Sequence, residues 1–321
     1  MTDWPNLNVW ILSDHRPGHL NPCLGVAEAL GTIPQIYYPE KRKSYWFWRG
    51  LCTDRAWRLP QARTHPDIII SAGWQMAHVS RALKRKYPGV FTVHLTKPAK
   101  PLDDFDVIAI PQHDNPPPLA NIVTTIGMPN RIRPSHLETL ATKCEDFCHT
   151  LPAPRIAVLI GGNTRKFTFT PAMTTDLLSQ LDSLTAAKQA SLLVSTSRRT
   201  PLEITAQVRT HLATQNRPWH LWTPQNDTEN PYSTYLACAD IIVTTADSIG
   251  MTSEACSTGK PVLVWGIDAV QRAKFQRFYA ILQQKQYIAP LSGHNHTPLP
   301  GKKLDDTHQV AAFIKTRYSQ N

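Results

Sequence analysis

The chain has 321 residues, enough for two domains of ordinary size, and 41% apolar with 18% charged residues suffices for two buried cores. No apolar run approaches the roughly 20 residues that span a bilayer, and the start MTDWPNLNVWIL lacks a basic leader, so a cytoplasmic protein is expected. A net charge of +10 calls for an anionic partner, and six cysteines without a CxxC pair fit reduced thiols better than a disulfide framework or a zinc site.

From the N-terminus, strand and helix patterns alternate. Strands are expected at Asn8 to Asp14, Asp67 to Ser71, Val90 to Leu95, Asp106 to Ile110 and Ile122 to Ile126, and helices at Cys23 to Leu30 and Trp74 to Tyr87. The first βα loop is Ser13 to Pro22, with Asn21 able to cap the helix and Pro22 suited to its first turn. His19 lies in this loop, at the ligand edge of a parallel sheet, and is the side chain best suited to take a proton near neutral pH. The alternative is a histidine that only bonds the loop backbone.

Residues 41–58, KRKSYWFWRGLCTDRAWR, hold six basic residues, one acidic and five aromatic. Tryptophan and tyrosine favour the lipid headgroup region, and lysine and arginine are drawn to anionic lipid, so the segment suits an anionic membrane surface. Its aromatics could instead fold back on the core. No nucleic-acid motif accompanies it, and no nucleic-acid partner is expected. His113 and Asp114 follow the strand ending at Ile110, where a carboxylate beside an imidazole can orient an acceptor hydroxyl or cap a turn.

Cys144 and Cys148, one helical turn apart beside His149, read as buried helix-face thiols. Leu151-Pro152-Ala153-Pro154 then punctuates the chain, which places a domain boundary near 150: residues 1–150, 151–304, and a terminal helix 305–321 packing back on the first domain. The second half repeats the alternation. A strand from Arg155 leads into Gly161-Gly162-Asn163, glycines letting backbone approach a phosphate. Ser191 to Thr196 and Trp219 to Thr223 read as strands, with helices from Pro171 and Pro201, and Asn230-Pro231 as a helix start. Ser197, Arg198 and Arg199 place donors and positive charge at a strand end, although helix starts normally disfavour cations and a solvated pair is the alternative.

The most telling stretch is Asp240 to Gly266, read as strand, turn, helix, strand. Asp247 or Ser248 can cap the helix, and Gly259 and Pro261 end it. Its N-terminus offers unpaired N–H groups to a diphosphate, and Glu254, on the second turn, can accept from a vicinal diol such as ribose. A solvated glutamate on an ordinary capped helix is the alternative. Two such αβ domains facing one another enclose an interdomain cleft at the strands' carboxyl ends.

GHLNPCLGVAEAL resembles the glycine-rich loop and following helix of the lipid II N-acetylglucosaminyltransferase, and Asp247 to Pro261 resembles the nucleotide-sugar helix of GT-B glycosyltransferases. A longer resemblance, over most of the chain, is to the mitochondrial fission family named for elongated mitochondria in a plant mutant and widespread in bacteria. It rests on Asp14, Arg16, Pro17, Gly18, His19 and Asn21; on Pro111 to Asp114; on Gly161 to Asn163; on Ser197 to Pro201; on Asn230 to Tyr232; and on Ala246, Asp247, Ser248, Met251, Ser253, Glu254, Ala255 and Gly259 to Pro261. His15, Leu20 and Pro22 stand where that family commonly shows Gly, Glu and Gln.

The resemblance implies an α/β protein of the GT-B type, two Rossmann-like domains with a nucleotide-sugar donor held mainly by the second. Gly18, Gly161, Gly162, Asn163, Ser197, Arg198, Arg199, Asp247, Ser248, Met251, Ser253 and Glu254 are then the donor-binding candidates, and His19, Asp114 and His113 the candidate bases. The expected activity is metal-independent glycosyl transfer to a membrane-associated glycolipid or lipid-linked acceptor, with no permanent cofactor, at the cytosolic face of a membrane. One rival is a nucleotide-sugar 2-epimerase, whose paired acidic residues Thr252-Ser253-Glu254 lacks. Another is a non-catalytic peripheral membrane adaptor.

Overall fold

The structure is a computed structural model that describes residues 2–42, 57–59, 64–142, 150–165, 167–226, 228–291 and 300–320. It divides into two compact units, Met1–Arg131 with Asp305–Asn321, and Ile132–Leu304. The division falls ahead of the proline-rich stretch near 150, because the helix Pro134–Thr142 packs against a helix of the second unit, Tyr232–Cys238.

In the first unit, strands β1 (Val9–Leu12), β2 (Gln35–Tyr37), β5 (Ile68–Ala72), β6 (Phe91–Leu95), β7 (Val107–Pro111) and β8 (Ile122–Thr125) form one parallel sheet in the order β2-β1-β5-β6-β7-β8. A separate antiparallel pair joins β3 (Glu40–Lys41) to β4 (Trp57–Arg58). Most sheet strands are buried on both faces, as crossover helices require, and alternate residues serve the two sides. Val9, Ile11, Ile68 and Ile70 pack with Val26 and Leu30 of α1 (Pro17–Leu30). Trp10, Leu12 and Ile69 pack with Met76, Val79 and Leu83 of α2 (Trp74–Lys86).

Helix α1 starts earlier than the sequence suggests. Pro17 occupies its first turn and Pro22 lies inside it, forgoing the bond to the Gly18 carbonyl, so His19 and Asn21 are helical rather than in a loop.

The last described helix, which we number after those of the second unit, spans Asp306–Tyr318 and belongs to the first unit. Its Val310, Ala311 and Ile314 complete the core beside α1. The Asp306 carboxylate accepts from the amides of Ile126 (2.9 Å) and Gly127 (2.7 Å), which fixes the helix's first turn.

In the second unit, α3 (Pro134–Thr142) leads to β9 (Arg155–Ile160), β10 (Ser191–Thr196), β11 (Trp219–Trp222), β12 (Ile241–Thr245), β13 (Val262–Trp265) and β14 (Ala289–Pro290). These form a parallel sheet in the order β11-β10-β9-β12-β13-β14. The connecting helices are α4 (Pro171–Lys188), α5 (Leu202–Ala213), α6 (Tyr232–Cys238), α7 (Ile249–Ser257) and α8 (Ala273–Gln284), so the terminal helix is α9. One face of the sheet buries Ile156, Val158, Ile160 and Val243 against Leu177, Leu181 and Leu184 of α4 and Val208 of α5. The strand order steps outward both ways from β9 and β12, which places a topological switch point between them.

Cys23 and Cys256 are buried thiols outside any disulfide, but Cys238 is disulfide-bonded, which corrects the reading of every cysteine as reduced. Cys144, Cys148 and His149 lie outside the described residues, as do Tyr45, Trp46, Phe47 and Trp48 of the basic aromatic segment. Trp57 of that segment is in the core, where Arg42 donates to its carbonyl at 2.9 Å. No described helix is long and apolar enough to cross a membrane.

Candidate functional site

At the switch point, β12 runs out through Ala246, Asp247 and Ser248 into α7. Ser248 has extended backbone and caps the helix, its hydroxyl accepting from the Met251 amide at 3.4 Å. The first-turn amides of Ile249 and Gly250 have no intrahelical acceptor, and nothing crowds the Cα of Gly250. This end of α7 is therefore open to an anion. Met251 and Glu254 are half-buried beside it. Ser253 is fully buried, its hydroxyl donating back to the Ile249 carbonyl at 2.8 Å, and serves the helix itself.

Asp247 does not cap the helix. Its buried carboxylate accepts from the Gly162 amide (2.9 Å), the Thr245 hydroxyl (2.7 Å) and the Arg199 guanidinium (2.9 Å), tying together the ends of β9, β10 and β12. A Cβ on Gly161 would run into this carboxylate, and one on Gly162 into the Arg199 carbonyl, so close approach within the protein explains both glycines. The Gly161 amide donates to the Thr245 hydroxyl (2.8 Å) and the Asn163 amide to the Arg199 carbonyl (2.9 Å). All three amides of the Gly161-Gly162-Asn163 turn are thus engaged internally, which corrects the expectation that they cradle a phosphate.

The Asn163 carboxamide accepts from the Phe169 amide at 2.8 Å, and the Ser197 hydroxyl accepts from the Arg199 amide at 3.1 Å. Arg199 latches the two loops, donating also to the carbonyls of Gly162 and Asn163, each at 3.3 Å. Arg198 differs. It is exposed, and its guanidinium has no partner among the described residues.

Glu254 accepts a hydrogen bond from the Tyr232 hydroxyl at 2.5 Å. Burial pushes the Glu254 carboxyl up to about 7, against the downward pull of that hydrogen bond. Tyr232 opens α6, its amide donating to Asn230 Oδ1 at 3.0 Å. Lys260, just past α7, donates to the α6 carbonyls of Leu236 (2.8 Å) and Ala237 (2.5 Å), which gives the Gly-Lys-Pro sequence a physical role as a C-terminal cap.

In the first unit, His19 sits on the first turn of α1. Its Nδ1 lies 3.0 Å from both carboxylate oxygens of Asp14, at the end of β1. The ring lies over Gly73, where a Cβ would stand 2.5 Å from His19 Cε1; φ of +82° also calls for glycine there. Gly18, one residue earlier on α1, is exposed with open space around it. Behind, His94 is buried between the hydroxyls of Ser71 (2.9 Å) and Thr96 (3.2 Å), and burial lowers its pKa to about 3, so it is neutral.

The turn Gln112–Asp114 follows β7, the third neighbour of β1, on the order of 14 Å across the sheet at about 4.8 Å per strand. His113 is fully buried and cannot reach a substrate, which removes it as a base; Asp114 is partly exposed. Two features escaped sequence reading: Asp14 as the partner of His19, and Tyr232 as the partner of Glu254. Among the described residues no cluster of His, Cys, Asp or Glu has the arrangement to hold a metal ion.

The profile of the mitochondrial fission ELM1 family matches residues 17–318. The chain belongs to this family. A Rickettsia prowazekii protein is 27% identical to it over 96% of this chain and 98% of its own length. The Mitochondrial fission protein ELM1 of Arabidopsis thaliana is 28% identical over 78% of this chain and 63% of its own length, so the ELM1 family member described here spans under two thirds of that plant relative. Among solved structures, the UDP-GlcNAc 2-epimerase of Methanocaldococcus jannaschii aligns with a TM-score of 0.52 at 12% identity, covering 97% of this chain and 99% of the epimerase. The fold is α/β of the GT-B type, with two Rossmann-like units.

Proposed function

We propose that this ELM1 family member is a metal-independent glycosyltransferase that moves a sugar from a nucleoside diphosphate donor to a lipid-linked or glycolipid acceptor. The observation that carries this is the open, serine-capped start of α7 at the switch point, with Glu254 one turn further on. The diphosphate is stabilised by the first-turn amides of α7, the Ser248 cap and the exposed Arg198. Ribose hydroxyls donate to Glu254. Asp247, Arg199, Gly161, Gly162, Asn163 and Ser197 hold the frame from behind rather than touching donor.

His19 is the base. Asp14 on Nδ1 selects the tautomer that leaves Nε2 to accept the acceptor proton, and stabilises the imidazolium that forms. The acceptor oxygen attacks the anomeric carbon as the bond to the diphosphate breaks, and the departing charge falls to the α7 amides and Arg198. Around the His19 edge, Trp74 and Tyr38 are exposed, Tyr38 stacks on His15 at 4.3 Å, and Arg16 is exposed. Apolar rings beside a guanidinium suit an amphipathic anionic acceptor such as a lipid phosphate.

The test is a donor screen of purified protein with lipid extracts. Transfer of a labelled sugar into the lipid phase is expected, and no turnover with any donor defeats the proposal. Epimerase action gives a changed sugar by NMR with no acceptor added. An adaptor keeps its cellular function when Glu254 and Arg198 are both alanine, whereas the enzyme loses it.

A further inference from the structure

Helix α6 is pinned at both ends against its neighbours. Asn230 holds the amide of its first residue, Lys260 caps its last carbonyls, and the Tyr235 hydroxyl pairs with His220 of β11. What this rigid helix delivers is one phenol, Tyr232, to one oxygen of Glu254 at 2.5 Å. The arrangement is costly to leave idle, because a half-buried glutamate and a half-buried phenol are each desolvated for the contact.

We propose that Tyr232 is the positioning residue of the nucleotide pocket, holding the Glu254 carboxylate ionised and oriented so that it accepts both hydroxyls of a ribose diol. The inference rests on Glu254 being the ribose carboxylate. A vicinal diol that donates both protons needs acceptor oxygens that carry no proton of their own, and a carboxylate supplies them. Burial works against that charged form, and the phenol donor offsets part of the burial effect.

Other titratable groups stand on the elements packed around α6 and α7: His136 and Glu138 on α3, and Tyr279 on α8, whose hydroxyl donates to the Ala246 carbonyl at 3.0 Å. Tyr235 is taken by His220, and Lys260 by the α6 carbonyls with Asp240 nearby; Asp247 is bound to Arg199. Tyr232 is the side chain whose hydrogen bond to Glu254 opposes the effect of burial on its ionisation.

The experiment is calorimetric titration of the full chain with UDP, ADP and GDP and their 2′-deoxy forms, from pH 5.5 to 9. Wild type, Tyr232→Phe, Glu254→Gln and the double variant are compared, each with its melting temperature. Wild-type affinity is expected to rise with pH through about 7, the range of the Glu254 carboxyl, and to fall for the 2′-deoxy forms. Tyr232→Phe, which keeps the ring, weakens binding about tenfold at pH 7. It also moves the pH midpoint upward and converges toward wild type at pH 9. Glu254→Gln removes the pH dependence, and the double variant is no weaker than Glu254→Gln alone.

An unchanged midpoint in Tyr232→Phe, or a further loss in the double variant, overturns the role for Tyr232. Wild type that binds none of the diphosphates, or Glu254→Gln that binds like wild type, overturns instead the ribose reading of Glu254.

Discussion

Glu254 is tuned against the stability of its own fold. Its carboxyl is pushed up to about 7 from 4.5, so between those values the folded chain holds a proton that the unfolded chain releases. Stability from this group is therefore lost as pH rises through about 7, the opposite of a salt-bridged carboxylate. Glu254→Gln is expected to match wild type in chemical denaturation at pH 4 and to exceed it at pH 8 by roughly 1–3 kcal/mol, while losing nucleotide affinity. His19 makes a separate demand. With Asp14 replaced by asparagine, the imidazole loses the anion that offsets its charge in the transition state, and kcat should fall by about 10²–10⁴-fold with KM little changed, read by initial rates. Neither pairing is visible as a local pattern. Tyr232 and Glu254 lie 22 residues apart, joined only by the packing of two helices, and the first-loop reading of His19 overlooked a carboxylate five residues away.

Among the elements, the parallel strands were legible because apolar, β-branched runs such as Ile68-Ile69-Ile70 and Ile241-Ile242-Val243 admit little else, and Pro171 marked the start of α4. The start of α1 was not, because Pro22 reads as a first-turn proline and the helix carries it internally instead. The glycines after β9 read as a phosphate loop, yet Gly161 makes room for the Asp247 carboxylate and Gly162 for the Arg199 carbonyl. That gives a sharp element-scale prediction. Gly162→Ala drives a methyl into the Arg199 carbonyl and should cost about 1–3 kcal/mol, measured by urea denaturation, with no ligand needed to see it. Asp306→Ala strips the Ile126 and Gly127 amides of their acceptor at the start of α9 and should cost about 2–4 kcal/mol, seen as a lower melting temperature.

For the whole molecule, two αβ units and a net charge of +10 were within reach of composition and alternation, while the GT-B type followed from the family resemblance. The exact division was not, since it depends on α3 packing against α6. The charge predicts association with vesicles containing anionic lipid that weakens as salt rises from 50 to 500 mM, by cosedimentation, and no association with neutral vesicles. The central claim is that the start of α7 and Glu254 hold a nucleoside diphosphate. Thermal unfolding of wild type and Glu254→Ala with UDP, ADP, GDP and CDP tests it most directly. Ligand at about 100 times its dissociation constant stabilises by roughly 2.7 kcal/mol, so at least one diphosphate should raise the wild-type melting temperature by several degrees and leave Glu254→Ala unmoved. Wild type unshifted by all four, or both proteins shifted equally, would contradict the account.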